Sequence, residues 1–296
     1  MKENYSFHLG ERYLQKLSGV DSIADKIASK VLDHKLSLQQ QAFYSQLNTL
    51  YVASLDNSGK PWASIITGQK GFVFSVDEKH IKISGTSLSR DILFRNIQEN
   101  KELGILGLEH HTRRRNRLAG EVVECTPEGL LIKVKQAFGN CPKYIQPRES
   151  IIVDNLNQNR LDEPLLYSTL NAEVKQLISH ADTFYIASFF SDITHRGADM
   201  SHRGGEPGFV KIVDDDTLEF DDYAGNNLYM TLGNLYANPD AGILFINYEN
   251  GDVWQLQCRA NIIETPDKRN KRKIKLEIKS IRKDAGALNV RWLNRI

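Results

Sequence analysis

The sequence has few cysteines, and none of them forms a Cys-x-x-Cys motif. Three are present, Cys125, Cys141 and Cys258. So small a number excludes a disulfide framework, a zinc site of four cysteines and an iron–sulfur cluster held by cysteines of one chain. Because sparse, unpaired cysteine is typical of a reducing compartment, we expect a cytoplasmic protein.

The sequence also lacks long apolar runs and an excess of one charge. No stretch approaches the roughly 18 apolar residues of a membrane helix, and residues 1–13 lack the apolar core of a signal peptide. The 38 basic and 37 acidic residues give a net charge of +1. No overall field therefore attracts nucleic acid or an anionic membrane, and we expect neither as a partner.

What the sequence does contain is an internal duplication. With 296 residues, 41% of them hydrophobic, the chain is long enough for two domains that each bury a core. Four segments recur in the same order, and the offset between partners grows slowly, as small loop insertions would cause. The pairs are 49–54 with 183–188, 71–77 with 208–214, 96–106 with 234–244, and 122–124 with 262–264.

Each copy reads mainly as short strands with one inserted helix. The predicted strands are 49–55, 61–68, 71–76, 80–84, 103–110, 117–125 and 129–136 in the first copy, and 183–190, 207–213, 217–221, 241–248 and 252–264 in the second. Because helices do not alternate with strands, a parallel α/β architecture is disfavoured. We expect an α+β fold, mostly antiparallel β, with two small barrels that leave no exposed sheet edge.

These patterns divide the chain into five segments. Ile23, Ile27 and Val31 lie at helical spacing, and Ser37 is placed to cap a second helix. Three of the eight prolines fall within 138–168, which reads as a linker. The predicted boundaries are an N-terminal helical segment 1–42, a first barrel 43–137, a linker 138–168, a second barrel 169–265 and a C-terminal extension 266–296.

In each copy, a strand runs into small or polar residues just before the helix. These segments are 84–90, which includes Ser89 and Arg90, and 222–227, which includes Asn226 and Asn227. A helix start with free N–H groups and hydroxyl or amide side chains is typical of a phosphate site. An ordinary helix cap has the same composition and remains the alternative.

The segment 194–208 contains His-Arg-Gly twice and too many glycines and prolines for a regular helix. Its glycines allow backbone N–H groups to approach a ligand, while Arg203 offers a planar fork and Ser201 a hydroxyl to a phosphate. A solvated hairpin loop is the alternative. His195 and His202 could ligate a metal, but no third ligand lies at a suitable spacing, so we expect no metal site.

Two further segments have candidate chemistry. The basic run 113–117, which follows His110 and His111, suits an anionic cofactor or substrate, or it is a solvated strand end. Cys141 in the segment 138–146 could be a nucleophile, but a buried structural thiol is the favoured interpretation.

Taken in order, these segments resemble the pyridoxamine 5′-phosphate oxidase-related flavin-nucleotide-binding proteins of the tandem type, which have two split barrels in one chain. The resemblance covers nearly all of residues 40–265. It is carried by Gly-Lys-Pro-Trp-Ala-Ser at 59–64, Gly-Phe-Val at 71–73, Arg-Arg-Arg-Asn-Arg at 113–117, Phe-Gly-Asn-Cys-Pro-Lys-Tyr-Ile-Gln at 138–146, Ser-His-Arg-Gly-Gly-x-Pro-Gly-Phe at 201–209, and Gly-Asn-Asn with a later Gly-Asn at 225–234.

The resemblance implies an FMN-binding split-barrel fold, with FMN at the edge of one barrel and the second barrel completing the site. It further implies an oxidoreductase that passes electrons or hydride between a reduced donor and a small acceptor. Because duplicated domains often keep an ancestral interface, we also expect a homodimer. FMN supplies the chemistry, so no catalytic acid or base is required of the chain. The cofactor-binding residues it implies are Ser201, His202, Arg203, Gly204, Gly205, Asn226 and Asn227 from the second copy, and Ser89, Arg90, Arg115 and Arg117 from the first.

The alternative function is a non-enzymatic flavin or haem carrier on the same barrel. His110, His111, His195 or His202 could then serve as an axial haem ligand. For a flavin ring, Trp62, Trp254 and Tyr223 are the candidate stacking partners. Because only the second copy has His-Arg-Gly-Gly and only the first has the basic run, we expect one flavin per chain.

Overall fold

The computed structural model describes residues 6–84, 91–153, 163–192, 196–264 and 272–294, which form six helices and seventeen strands. Two antiparallel sheets of seven and eight strands account for most of the chain. Within the described ranges, no helix combines the length and the apolar character that crossing a bilayer requires.

Three helices precede the first sheet. Ser37 caps the third as predicted, since its hydroxyl accepts a hydrogen bond from Gln40 N and the Gln40 side chain accepts one from Ser37 N. The second forms where the apolar spacing predicts it, but it buries Ala24 and Ala28, while Ile23 is exposed. The helices are α1 Leu9–Leu17, α2 Asp21–Val31 and α3 Leu38–Ser45.

The first barrel is a seven-stranded sheet with the spatial order β2-β1-β5-β6-β7-β4-β3. A single buried apolar cluster fills its interior. Its elements are β1 Thr49–Leu55, β2 Pro61–Thr67, β3 Val73–Asp77, β4 His80–Ser84, α4 Ile92–Glu99, β5 Glu102–Glu109, β6 Arg114–Thr126 and β7 Gly129–Asn140.

The second barrel has the order β11-β10-β14-β15-β16-β13-β12, which repeats the order of the first strand for strand, with β9 added beside β16. The predicted duplication into two split barrels is thereby confirmed. Its elements are β9 Leu165–Tyr167, α5 Ala172–His180, β10 Thr183–Ser191, β11 Arg196–Gly204, β12 Val210–Ile212, β13 Thr217–Asp221, α6 Met230–Ala237, β14 Asp240–Ile246, β15 Val253–Glu264 and β16 Arg272–Asp284.

A buried hydrogen bond is repeated in the two copies. Asn96 on α4 donates to the Ser54 hydroxyl at 2.9 Å, and Asn234 on α6 donates to the Ser188 hydroxyl at 3.1 Å. Each asparagine ties the inserted helix to an equivalent strand of its own barrel, β1 in the first and β10 in the second. The duplication thus extends from strand order to single side-chain contacts.

The two barrels pack against each other through a separate apolar cluster, to which both contribute. Equivalent glycines allow the close approach. A Cβ on Gly104 of β5 would lie 2.6 Å from the Ala198 carbonyl oxygen of β11, and a Cβ on Gly242 of β14 would lie 2.7 Å from the Pro61 carbonyl oxygen of β2. Any side chain at these two positions would therefore push the barrels apart.

The structure differs from the sequence predictions in three segments. The glycine-rich segment 194–208 contains strand β11, although its polar composition favours a loop. β16 lies in the segment predicted as a C-terminal extension, because Ile274, Leu276 and Ile278 alternate with charged residues and are buried in the second barrel. A two-stranded sheet joins the predicted linker to the C-terminal end through β8 Arg148–Ile152 and β17 Val290–Asn294. The domain boundaries stay a prediction.

We predict that Gly104→Ala and Gly242→Ala each lower the free energy of unfolding by about 1–3 kcal/mol, because the new methyl group overlaps backbone atoms that cannot move aside. Urea denaturation measures the change. Gly197→Ala is the matched control, since a Cβ there lies 4.0 Å from its nearest neighbour, Ala119 Cβ. Equal stability of all three variants would show that the glycines do not set the distance between the barrels.

Candidate functional site

A cleft lies where β6 of the first barrel meets β11 of the second. β6 contributes Arg115 and Arg117, which are two residues apart and therefore lie on one face of the strand. β11 contributes Ser201, His202, Arg203 and Gly204. The ends of β7 and β13 and the loops that follow them complete the cleft with Asn140, Cys141, Lys143, Tyr144 and residues 221–226.

Most of the predicted site residues thus come together, although they are far apart in sequence. Asn227 lies in an adjoining cleft of about 670 Å³, which shares Arg117, Arg203 and residues 221–226 with the first. Gly205 follows β11, where its carbonyl oxygen accepts a hydrogen bond from Gln146 at 3.3 Å. Ser89, Arg90 and His195 lie outside the described residues.

Arg115 and His202 form a hydrogen bond across the barrel interface. Arg115 Nη1 donates to His202 Nδ1 at 3.2 Å. The pKa of Arg115 is lowered to about 10, mainly by burial and secondly by the positive charge of Arg203. Burial, followed by the charge of Arg115, holds the pKa of His202 well below its usual value, so the imidazole is neutral at physiological pH.

Arg203 provides a second guanidinium group in the same cleft. Burial lowers its pKa, and the nearby Asp222 carboxylate opposes that shift. No hydrogen bond or ion pair joins the Arg203 side chain to another residue in the described part of the chain. A half-buried guanidinium group that lines a cleft without such a partner is typical of a site that binds an anion.

Arg117 is buried and is held in an ion pair with Asp199 of β11. The Asp199 carboxylate also accepts a hydrogen bond from the Thr231 hydroxyl at 2.7 Å, and the Arg117 guanidinium lies 5.1 Å from the centre of the Phe138 ring. The interpretation of 113–117 as a solvated strand end is therefore wrong for Arg115 and Arg117, because the second barrel covers them.

The second segment predicted to open a helix has a different geometry. α6 begins at Met230, after Tyr229 in the left-handed conformation (φ 59°) and without a side-chain cap. Asn226 is instead used to join the loops of the two barrels, since its side chain donates to Asn140 Oδ1 at 3.0 Å and accepts from Leu228 N at 3.1 Å.

An aromatic pair closes one side of the cleft. The rings of Tyr144 and Tyr223 stack with centroids 5.2 Å apart, and the Tyr144 hydroxyl donates to the Ala224 carbonyl oxygen at 3.3 Å. Tyr223 was among the predicted stacking partners, whereas Tyr144 was not. Of the other two candidates, Trp254 is buried in the core of the second barrel, and Trp62 donates to Asp56 at 3.1 Å, away from this cleft.

Cys141 is exposed at the edge of the cleft, so its interpretation as a buried structural thiol is wrong. The loop after β7 turns it toward solvent instead of into a core. Cys258 is the buried cysteine, and burial raises the pKa of its thiol.

The equivalent position in the other copy has a different chemistry. β5 pairs Leu106 with Arg117, and β14 pairs the equivalent Leu244 with Gln255, so Gln255 stands where Arg117 stands. Gln255 donates to the Ala63 carbonyl oxygen at 2.8 Å and accepts from Arg282 at 2.7 Å. These side chains satisfy one another, which leaves no comparable cationic site among the described residues there.

A buried polar network lies beside the cleft, at the centre of the barrel interface. The equivalent residues Tyr51 and Tyr185 stack with ring centroids 3.8 Å apart. Both hydroxyls lie 3.3 Å from His110 Nε2. The pKa of His110 is lowered to about 4, mainly by burial and secondly by the positive charge of Arg148. Enclosed in this way, His110 does not offer an open coordination position to a haem iron.

Comparison with known proteins gives a family match for part of the chain. Residues 36–156 match the family model described as pyridoxamine 5′-phosphate oxidase. No curated protein matches the sequence. Among solved structures, the chain is similar to HupZ of Group A Streptococcus (14% identity, 35% of this chain and 93% of that chain, TM-score 0.29), to an FMN-binding protein of Syntrophomonas wolfei (8%, 42% and 92%, TM-score 0.29), and to the haem storage protein HutZ of Vibrio cholerae (13%, 36% and 96%, TM-score 0.26).

We predict that acid destabilises the protein partly through His110. The unfolded chain binds a proton at this histidine near pH 6.5, whereas the folded state binds it only near pH 4, so stability falls as the pH is lowered between these values. The pKa difference corresponds to about 3 kcal/mol at the acid end. His110→Gln should lose stability less steeply, as measured by urea midpoints at pH 7, 5.5 and 4.5. An unchanged slope in that variant would contradict the assignment.

Proposed function

We propose that the chain binds FMN between its two barrels and acts as an oxidoreductase, since residues 36–156 match the family model described as pyridoxamine 5′-phosphate oxidase. It would pass electrons or hydride between a reduced donor and a small acceptor. FMN, when bound, supplies the redox chemistry itself. The residues of the chain bind the phosphate, enclose the ring and exclude water.

The observation that carries this proposal is the pair of half-buried guanidinium groups of Arg115 and Arg203, which line one cleft. Among the described residues, neither forms an ion pair with a carboxylate. A half-buried guanidinium group without a carboxylate partner is incompletely hydrated, and a phosphate-bearing ligand would satisfy both groups with charge-assisted hydrogen bonds. The adjoining cleft of about 670 Å³ lies in the size range of small-molecule sites.

The remaining site residues fit the same ligand. Arg203 and Ser201 lie on one face of β11, as their spacing of two requires, and they offer a guanidinium fork and a hydroxyl to the phosphate. The aromatic pair Tyr144 and Tyr223 offers a flat surface for a ring.

The absorbance spectrum of the purified protein tests this proposal. We expect flavin bands and, after denaturation, release of FMN that chromatography identifies. A Soret band would favour the haem carrier instead. A protein that neither contains flavin nor binds added FMN would overturn the proposal.

We further propose that the chain forms a homodimer in the cytoplasm. Its two barrels already form one internal pair, and duplicated domains commonly retain a second, symmetric surface for association. Light scattering that gives the monomer mass of 33.7 kDa would overturn the dimer.

We predict that Arg203→Ala weakens FMN binding ten- to hundredfold, because the loss of a charge-assisted hydrogen bond costs about 1.5–3 kcal/mol. Fluorescence quenching of FMN by the apoprotein measures the affinity. Arg95→Ala is the matched control, since it removes the same charge from the exposed surface of α4. Equal affinity of the two variants would remove Arg203 from the site.

We predict one FMN per chain. The cationic cluster exists at one of the two equivalent positions, whereas Gln255 and Arg282 satisfy each other at the other. Flavin released by denaturation, measured against protein concentration, gives the ratio. A ratio near two would show that both copies bind FMN and that the difference between them has another role.

A further inference from the structure

We infer that Arg115 and His202 act as one unit, in which His202 positions Arg115 so that its Nε–H faces a single acceptor atom of the bound flavin ring. This inference rests on the proposed function and deepens it. It assigns different parts of the ligand to the two guanidinium groups, Arg203 to the phosphate and Arg115 to the ring.

The hydrogen bond between the two residues fixes the state of His202. A guanidinium group has only donors, so His202 Nδ1 must accept the hydrogen bond from Arg115 Nη1 and cannot carry a proton. The burial of His202, which is 3% exposed, and the neighbouring positive charges oppose its protonation. His202 Nδ1 therefore stays unprotonated as the pH falls, and it continues to accept the hydrogen bond that holds Arg115 across the barrel interface.

The same hydrogen bond leaves a specific donor of Arg115 available. Nη1 is used by His202, while the buried Nε–H has no hydrogen-bond partner in the described part of the chain. A single lateral N–H suits one ring oxygen or nitrogen, whereas the whole fork of Arg203 suits the several oxygens of a phosphate. Both residues line the same cleft of about 80 Å³, and Arg203 also lines the adjoining cleft of about 670 Å³, so a ligand that extends from the larger cleft into the smaller one can meet both.

An acceptor atom that gains negative charge on reduction binds such a donor more strongly in the reduced state. The unit formed by Arg115 and His202 should therefore favour reduced over oxidised flavin. The expected ligand is therefore a ring whose edge toward Arg115 carries a hydrogen-bond acceptor. A carbonyl oxygen or a deprotonated ring nitrogen would serve. A ring that presents an N–H donor at the same place would be rejected.

The test compares wild type, His202→Phe, His202→Asn, Arg115→Ala and the double variant Arg115→Ala with His202→Phe. The probes are FMN and riboflavin, which has the ring but lacks the phosphate, and the readouts are the affinity for each and the midpoint potential of bound flavin. Phe cannot accept from Arg115, whereas the Asn amide oxygen can take the place of Nδ1.

We expect His202→Phe to weaken FMN and riboflavin by the same factor, about tenfold, because the ring contact is common to both. It should also lower the midpoint potential by about 30 mV, which corresponds to a tenfold change in the ratio of affinities for reduced and oxidised flavin. His202→Asn should restore most of both losses. The double variant should be no worse than Arg115→Ala alone, since the two residues act together.

Three results would overturn the inference. They are an unchanged potential in Arg115→Ala, a loss of FMN affinity with riboflavin unaffected, and additive effects in the double variant. If His202→Phe fails to fold, Arg115→Ala and His202→Asn still test the first two points. In each of these cases the wild-type protein binds FMN, so the proposed function survives, whereas a wild-type protein that binds neither probe overturns both.

Discussion

The functional site depends on how closely the two barrels approach each other. Gly104 and Gly242 stand at equivalent positions, and each faces the backbone of the other barrel at a distance that excludes a Cβ. The backbones of the facing strands therefore touch directly, and the apolar cluster that both barrels share packs around this contact. Only at this separation can Arg115 of the first barrel reach His202 of the second at hydrogen-bond distance.

Burial and electrostatics in the cleft follow from that contact. The basic run at the start of β6 would be an exposed strand end in an isolated barrel, where water screens its charges. The second barrel covers two of its arginines, so water hydrates them incompletely. Their protein partners then determine how well each charge is stabilised. Arg117 has Asp199 as its ionic partner, whereas the one hydrogen-bond partner of the Arg115 side chain among the described residues is the neutral His202. The difference between these two neighbours separates a structural arginine from one that can receive a ligand.

Much of the fold could be predicted from local patterns, but the site could be predicted only in part. Alternating apolar residues identified most strands, and Ser37 marked a helix start correctly. β11 was not predicted because seven of its nine residues are Arg, Gly, Asp, Ser or His, which local propensity assigns to loops. β16 has a clear signal in the alternation of Ile274, Leu276 and Ile278, but it lies beyond the last of the repeated segments, 262–264. The pairing of Tyr144 with Tyr223 joins loops of different barrels, and no local pattern specifies such a contact.

The equivalence of Arg117 and Gln255 has a genetic consequence. In a symmetric dimer of single barrels, one codon would determine both positions, so any substitution that improved one site would be imposed on the other. Covalent fusion removes that constraint, because each copy is encoded separately. One interface position can then hold an arginine beside an open cleft, while its counterpart holds a glutamine that donates a hydrogen bond to the opposite barrel. The tandem chain can thus specialise one site and use the other to hold the pair together.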